Sequence, residues 1–157
     1  MNKKTLAIIM GLALPVALMA AEHPEHPHSK EHPTSQKDQE KTLREQFNKA
    51  VKDYVEKARV GGGFKVHDDK LNKDWDLKLV KVHKNKIVHL SDKPYRCFAC
   101  ADFKSTAKGD KTKVDLDFYA TKDDKDVYAV EKVLIHKVNG QPRYTYNDKN
   151  EMVPVTK

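Results

Sequence analysis

The two cysteines of the chain lie three residues apart, in the run Cys97-Phe-Ala-Cys100. This C-x-x-C spacing is found in c-type haem attachment sites, in thioredoxin-like redox pairs and in halves of metal sites. Haem attachment is excluded because alanine, not histidine, follows the second cysteine. The redox motif normally opens a helix, whereas the residues around these cysteines alternate between apolar and polar as in a strand.

Strand geometry limits what this pair of cysteines can do. Residues three apart in a regular strand point to opposite faces and lie about 10 Å apart, whereas a disulfide needs Cα atoms within about 7 Å. The first twenty residues, described below, predict export to an oxidising compartment, and such a compartment favours disulfide formation. We therefore predict a disulfide between Cys97 and Cys100 at a bulge near Phe98. Separate inert thiols, a redox pair and a metal site are the alternatives.

The second candidate for chemistry is a histidine-rich stretch, residues 21–36, in which Glu-His-Pro occurs three times. Imidazoles bind borderline divalent ions such as Cu(II), Ni(II) and Zn(II). If the chain were cleaved after Ala20, its new terminus Ala21-Glu22-His23 would resemble the amino-terminal copper and nickel motif, a square-planar chelate of amine, amides and imidazole. A soluble spacer is the alternative. The predicted metal ligands are His23, His26, His28 and His32.

The first twenty residues have the pattern of a secretory signal peptide. Two lysines precede an apolar run, Leu6–Met19, which is too short for a membrane anchor and is followed by small residues. Cleavage would lower the formal net charge from +7 to +5. We predict a secreted or periplasmic protein with no membrane span after cleavage, a disordered tail over 21–35, and no nucleic-acid partner, because export separates the protein from nucleic acids.

The remaining sequence predicts one α+β domain over residues 36–146. Apolar residues recur at helical spacing between Gln36 and Val60, and Ser35 can cap that helix. Alternating runs follow, with a shift of phase near Val80 that indicates either a bulge or a strand buried on both faces. We therefore expect one long N-terminal amphipathic helix packed across a curved antiparallel sheet of four to six strands, with a loose end over 147–157.

This order of elements resembles the cystatin-like and NTF2-like architecture. The resemblance covers about residues 35–146 and implies the fold only. The inhibitory loop of cystatins, Q-x-V-x-G, is absent, because Val138-Asn-Gly140 lacks the preceding glutamine. Protease inhibition is therefore not implied.

The sequence contains no recognised catalytic motif, and the carboxylates Asp102, Asp115 and Asp117 are typical of a solvated strand face. The histidines outside the tail show no ligand spacing. We therefore predict a non-enzymatic binding or accessory protein whose open sheet face takes a protein, peptide or anionic ligand. The alternative is a metal-handling accessory protein that binds Cu, Ni or Zn through the tail. The predicted ligand-binding residues are Arg96, Phe98, Tyr119 and Tyr128.

Overall fold

The computed structural model describes residues 35–155, so the predicted signal peptide and almost all of the histidine-rich tail lie outside the described residues. Within that range no helix is both long enough and apolar enough to cross a membrane. The secondary-structure elements are α1 (Gln36–Lys57), β1 (Arg59–Val60), β2 (Gly63–Asp68), β3 (Lys73–Val82), β4 (Val88–His89), β5 (Cys97–Ser105), β6 (Lys113–Lys122), β7 (Tyr128–Val138), β8 (Gln141–Pro142), β9 (Tyr144–Tyr146) and β10 (Met152–Pro154).

Helix α1 begins where the sequence predicts. The Ser35 side chain accepts a hydrogen bond from the backbone N–H of Asp38, which satisfies one of the free donors of the first turn. The helix ends at Lys57, three residues before the predicted end, because Arg59 and Val60 pair with β2 as a short strand. Gly61 and Gly62, both with positive φ, make the tight turn between β1 and β2.

Strands β1 to β8 form one antiparallel sheet of eight strands in the order β1-β2-β3-β5-β6-β7-β8, with β4 paired to β5. The α+β class is therefore confirmed, whereas the expected number of strands is too low. Strands β1 and β8 were not predicted as separate strands, and each of them is only two residues long. Alternation cannot be recognised over two residues, so such strands are visible only once their neighbours are in place.

The bulge predicted in β3 is confirmed. The register between β3 and β5 shifts between Leu79 and Lys81, which leaves Val80 as the extra residue. Val80 is consequently 60% exposed, while Val82 returns to the buried face at 8%. The phase shift in the apolar pattern thus corresponds to an extra residue in the strand.

The core lies between α1 and one face of the sheet. Phe47 and Val51 of the helix pack with Phe103 of β5 and with Leu116 and Phe118 of β6, all of them essentially inaccessible to solvent. Burying side chains of this size contributes about 1.5–3 kcal/mol each. Because strand residues alternate between faces, this core fixes the even-numbered positions of β5, such as Cys100, on the opposite face.

The residues after Tyr146 were predicted to be loose, but Met152–Pro154 pairs with Tyr144–Tyr146 as an antiparallel hairpin. The β9–β10 hairpin is a separate two-stranded sheet. Its root is held by Arg143, whose Nη2 donates to the buried Asp68 Oδ2 at 2.8 Å. The same carboxylate oxygen accepts from the indole N–H of Trp75 at 3.1 Å.

Candidate functional site

The predicted disulfide is absent, because Cys97 and Cys100 are both free and point to opposite faces of β5. The register between β5 and β6 runs without interruption from Cys97 to Lys104, so the bulge expected near Phe98 is absent as well. Cys97 packs in the core, and Cys100 lies on the face turned away from α1. In a regular strand this separation follows from the alternation of side chains.

This arrangement predicts how the thiols react. Burial raises the pKa of Cys97 to about 11, so at pH 8 its thiolate fraction is on the order of a hundredfold below that of an ordinary thiol. We expect iodoacetamide to label Cys97 slowly in the native protein, and the labelling rate should rise about tenfold per pH unit as the pH increases toward that pKa. After unfolding without reductant, mass spectrometry should find both cysteines labelled. If the unfolded chain takes up label only after reduction, the two cysteines are bonded to each other and the free-thiol assignment is wrong.

Cys100 belongs to a cluster contributed by three neighbouring strands. It is paired directly across the sheet with Asp117 of β6, so the two side chains share a face. His136 of β7 joins them because it is the extra residue of a bulge, where the register shifts as Ile135 pairs with Leu116 and Lys137 with Asp115. A bulge can aim a side chain where a regular strand would not.

The ligand atoms of Cys100, Asp117 and His136 all lie within 4.8 Å of one another. His136 Nδ1 is 3.9 Å from Cys100 Sγ and 3.5 Å from Asp117 Oδ2. A tetrahedral ion with bonds of about 2.0–2.3 Å holds its ligand atoms roughly 3.3–3.7 Å apart. The two distances from His136 Nδ1 are therefore within a few tenths of an ångström of coordination geometry, and the whole group lies within 4.8 Å.

Asp117 is the centre of the cluster and is only 1% exposed. Its Oδ2 accepts hydrogen bonds from the hydroxyls of Tyr144 at 2.9 Å and Tyr146 at 2.7 Å. Burial by itself raises the pKa of this carboxyl, but His136 and the two hydroxyls outweigh burial, and the pKa lies below its usual range. Its Oδ1 is buried and has no hydrogen-bond partner among residues 35–155, so one oxygen of an ionised carboxylate is available to a ligand.

The geometry does not suit a cysteine nucleophile. In a catalytic relay the carboxylate holds one imidazole nitrogen while the nucleophile uses the other. Here Sγ and Oδ2 both approach the same atom, His136 Nδ1. Burial, reinforced by the Asp117 charge, also raises the pKa of Cys100, which keeps the thiol protonated. A thiol, a carboxylate and an imidazole whose ligand atoms lie within 4.8 Å of one another are instead a group that can hold a cation.

The cluster lies in a groove of about 350 Å³ on the sheet face opposite α1. At the far side of the groove, His83 Nε2 is 2.6 Å from Asp102 Oδ1. Asp102 is paired across the sheet with Asp115, whose pKa is raised by burial and then by the Asp102 charge. Three carboxylates and two imidazoles therefore line the groove, together with Lys86, Lys137 and apolar side chains.

The four predicted ligand-binding residues do not form one exposed patch. Phe98 and Tyr119 lie on the face away from α1, where Tyr146 covers them, with the Phe98 and Tyr146 rings 4.7 Å apart. Arg96 is next to Tyr119 and forms ion pairs with Asp92 and Glu131. Tyr128, in contrast, is part of the helix-side core, so its predicted place on the open face is wrong.

The predicted placement of Asp102, Asp115 and Asp117 on one strand face is confirmed. The expectation that this face is solvated is wrong for Asp117, which is only 1% exposed. The grouping of Asp117 and His136 with Cys100 was not predicted, because the two cysteines were treated as a pair and His136 had no ligand nearby in sequence. The hairpin register between β5 and β6 was the available signal, since it already sets Cys100 opposite Asp117.

The predicted tail ligands His23, His26, His28 and His32 lie outside the described residues. Comparisons with protein-family models, with curated proteins and with solved structures found no match. The resemblance to cystatin-like and NTF2-like proteins therefore rests on the order of elements, and a shared fold would not by itself imply a shared activity.

Proposed function

We propose that this protein is an exported, non-enzymatic metal-binding protein whose folded domain holds a borderline transition-metal ion at Cys100, Asp117 and His136. The observation that carries the proposal is the convergence of a thiol, a carboxylate and an imidazole within 4.8 Å, with one buried carboxylate oxygen left without a partner. A buried, unsatisfied carboxylate oxygen is costly, and a cation would satisfy it.

The donor set favours a particular class of ion. Thiolate sulfur selects soft and borderline ions, imidazole suits Zn(II), Cu(II) and Ni(II), and hard ions such as Mg²⁺ and Ca²⁺ prefer oxygen ligands alone. One donor of each kind therefore supports Zn(II) first and Ni(II) or Cu(II) next. A bound cation would also deprotonate the Cys100 thiol, which burial and the Asp117 charge otherwise keep protonated.

Three protein ligands leave one coordination position toward the groove. Structural zinc sites are closed by four protein ligands, whereas sites that exchange ligands keep an open position. The groove beside the cluster, about 350 Å³ in volume, is large enough for water or a small donor from a partner. This supports carriage and transfer of an ion, and the protein, peptide or anionic partner predicted from the sequence would reach the site through the groove.

The histidine-rich tail supports the same function from the sequence side. His23, His26, His28 and His32 would collect Cu(II), Ni(II) or Zn(II) at lower affinity, and a terminus at Ala21 would add a square-planar chelate. The predicted signal peptide places this activity in the periplasm or outside the cell. The tail and the groove are thus two independent features that favour metal handling.

The domain site is tested with Co(II), whose thiolate complexes absorb strongly in the near ultraviolet. The experiment uses the full chain with the four tail histidines replaced by glutamine, so that the signal reports the domain alone. We expect one Co(II) per chain with a sulfur-to-metal charge-transfer band, and we expect Cys100→Ser to abolish the band. Cys97→Ala is the matched control, because Cys97 lies on the opposite face of β5, and it should retain the band.

Loss of the band in both variants, or in neither, would contradict the assignment of Cys100 as a ligand. A chain that binds no Co(II) at all would contradict a metal site in the domain. Titration with Cu(II) then tests the tail. The chain with its native tail histidines should bind more Cu(II) ions than the chain with glutamines, which keeps only the ion held by the domain. Equal stoichiometry with and without the tail histidines would remove the tail from the proposal.

A further inference from the structure

The β9–β10 hairpin lies against the candidate metal site and contacts the sheet mainly through two tyrosines. The Tyr144 ring stacks on the His136 ring at 5.1 Å, and the Tyr146 ring contacts both Phe98 at 4.7 Å and His136 at 5.9 Å. Both hydroxyls end on Asp117 Oδ2. Two of the three proposed ligands are therefore held by the hairpin.

The hydrogen-bond chain has a defined direction. The Tyr146 hydroxyl gives its single proton to Asp117, so the proton in the 2.8 Å bond between Tyr119 and Tyr146 comes from Tyr119. The hydroxyls of Tyr144 and Tyr146 are both donors to the same carboxylate oxygen. These donors hold the Asp117 carboxylate through Oδ2, while its Oδ1 has no hydrogen-bond partner among the described residues.

The hairpin is otherwise lightly attached. Its two strands pair only with each other within the described range, and Met152, Val153 and Val155 are each at least 39% exposed. Beyond its root at Arg143, the contacts just described are what hold it to the sheet. Elements with few buried contacts are the ones that open locally at low free-energy cost.

We infer, on the basis of the metal site proposed above, that the β9–β10 hairpin is a clamp on that site, with Tyr144 and Tyr146 as positioning residues for the ligand Asp117. Hydrogen bonds to a ligating carboxylate fix its orientation and raise metal affinity, and their loss typically costs 10–100-fold in affinity. If hairpin docking raises metal affinity, metal must by reciprocity stabilise the docked hairpin. Release of the hairpin would then release the ion.

The test uses the full chain with the tail histidines replaced by glutamine and Co(II) as the probe. Tyr146→Phe removes one donor to Asp117 and retains the ring, and we expect it to weaken Co(II) binding about tenfold. Tyr144→Phe is a second variant with the same expected direction. Tyr54→Phe is the matched control, because the Tyr54 ring packs on Phe64 and Phe118 on the other side of the sheet.

Hydrogen exchange supplies a second readout, which can first be measured on the protein with native tyrosines. Saturating Co(II) should slow amide exchange across residues 144–154 of the protein with native tyrosines, and this protection should shrink in Tyr146→Phe. Unchanged or tighter Co(II) binding in Tyr146→Phe would overturn the clamp, as would unchanged exchange in the hairpin while the sulfur-to-metal band is present. Absence of that band from the protein with native tyrosines would instead overturn the metal site itself, and the clamp with it.

Discussion

Replacing Asp68 with alanine is expected to lower the free energy of unfolding by about 3–5 kcal/mol, because it leaves the Arg143 guanidinium buried without its counter-charge. The side chains of Asp68 and Arg143 are only 3% and 15% exposed. The substitution also removes the acceptor for the Trp75 indole N–H and for the backbone N–H groups of Lys70 and Leu71. Urea unfolding, followed by the fluorescence of the single tryptophan, measures the loss.

Asp69→Ala is the matched control for this prediction. Asp69 is adjacent in sequence, but its side chain is fully exposed, so the urea midpoint should hardly move. Equal midpoints for the Asp68 and Asp69 variants would show that the buried ion pair contributes little. Because Arg143 leads directly into β9, the Asp68 variant should also loosen the β9–β10 hairpin, which hydrogen exchange over residues 144–154 would detect.

Zinc is expected to stabilise the folded domain substantially. An ion that binds the folded chain alone stabilises it by about 2.7 kcal/mol when its free concentration is a hundred times the Kd. In the chain with glutamines at the tail histidines, the thermal midpoint should therefore rise by several degrees on saturation with Zn(II), measured by circular dichroism. The rise should shrink as the pH falls, because the metal must displace the proton of the buried Cys100 thiol.

The same scan in Cys100→Ser gives the decisive comparison. The serine variant should lose most of the zinc-dependent rise, whereas Cys97→Ala, whose change lies in the core on the opposite face, should show the full rise from a lower starting midpoint. A rise of equal size in Cys100→Ser would mean that zinc stabilises the fold from some other place. No rise in the protein with both cysteines would contradict a zinc site in the domain.

Local pattern was sufficient for most of the scaffold. The cap at Ser35 and the strand bulge at Val80 each follow from residue types a few positions apart, and the structure contains both. The central hairpin β5–β6 follows equally from alternation. These features depend on neighbours in sequence, where backbone preference and apolar periodicity act directly.

The prediction for the two cysteines was wrong, although the correct arrangement was among the stated alternatives. A regular strand with separate thiols and a bulged strand with a disulfide both fitted the residues. The unbroken pairing of β5 with β6 decided for the regular strand, because seating Phe103, Leu116 and Phe118 in the core requires one continuous register. Packing of the whole sheet outweighed the local preference for a bond.

The sequence by itself determined the α+β class, the helix, the long strands and the strand face shared by Asp102, Asp115 and Asp117. It did not place Cys100 on that face, because the predicted bulge would have moved it. Only the tertiary structure decided that His136 would join Cys100 and Asp117, since this depends on a one-residue bulge in a strand paired across β6. Only the tertiary structure placed the tyrosine hairpin over that cluster. The physical reason is that periodicity specifies which side of a strand a residue occupies, whereas the distance between side chains on different strands depends on register, and register is set by the packing of the entire core.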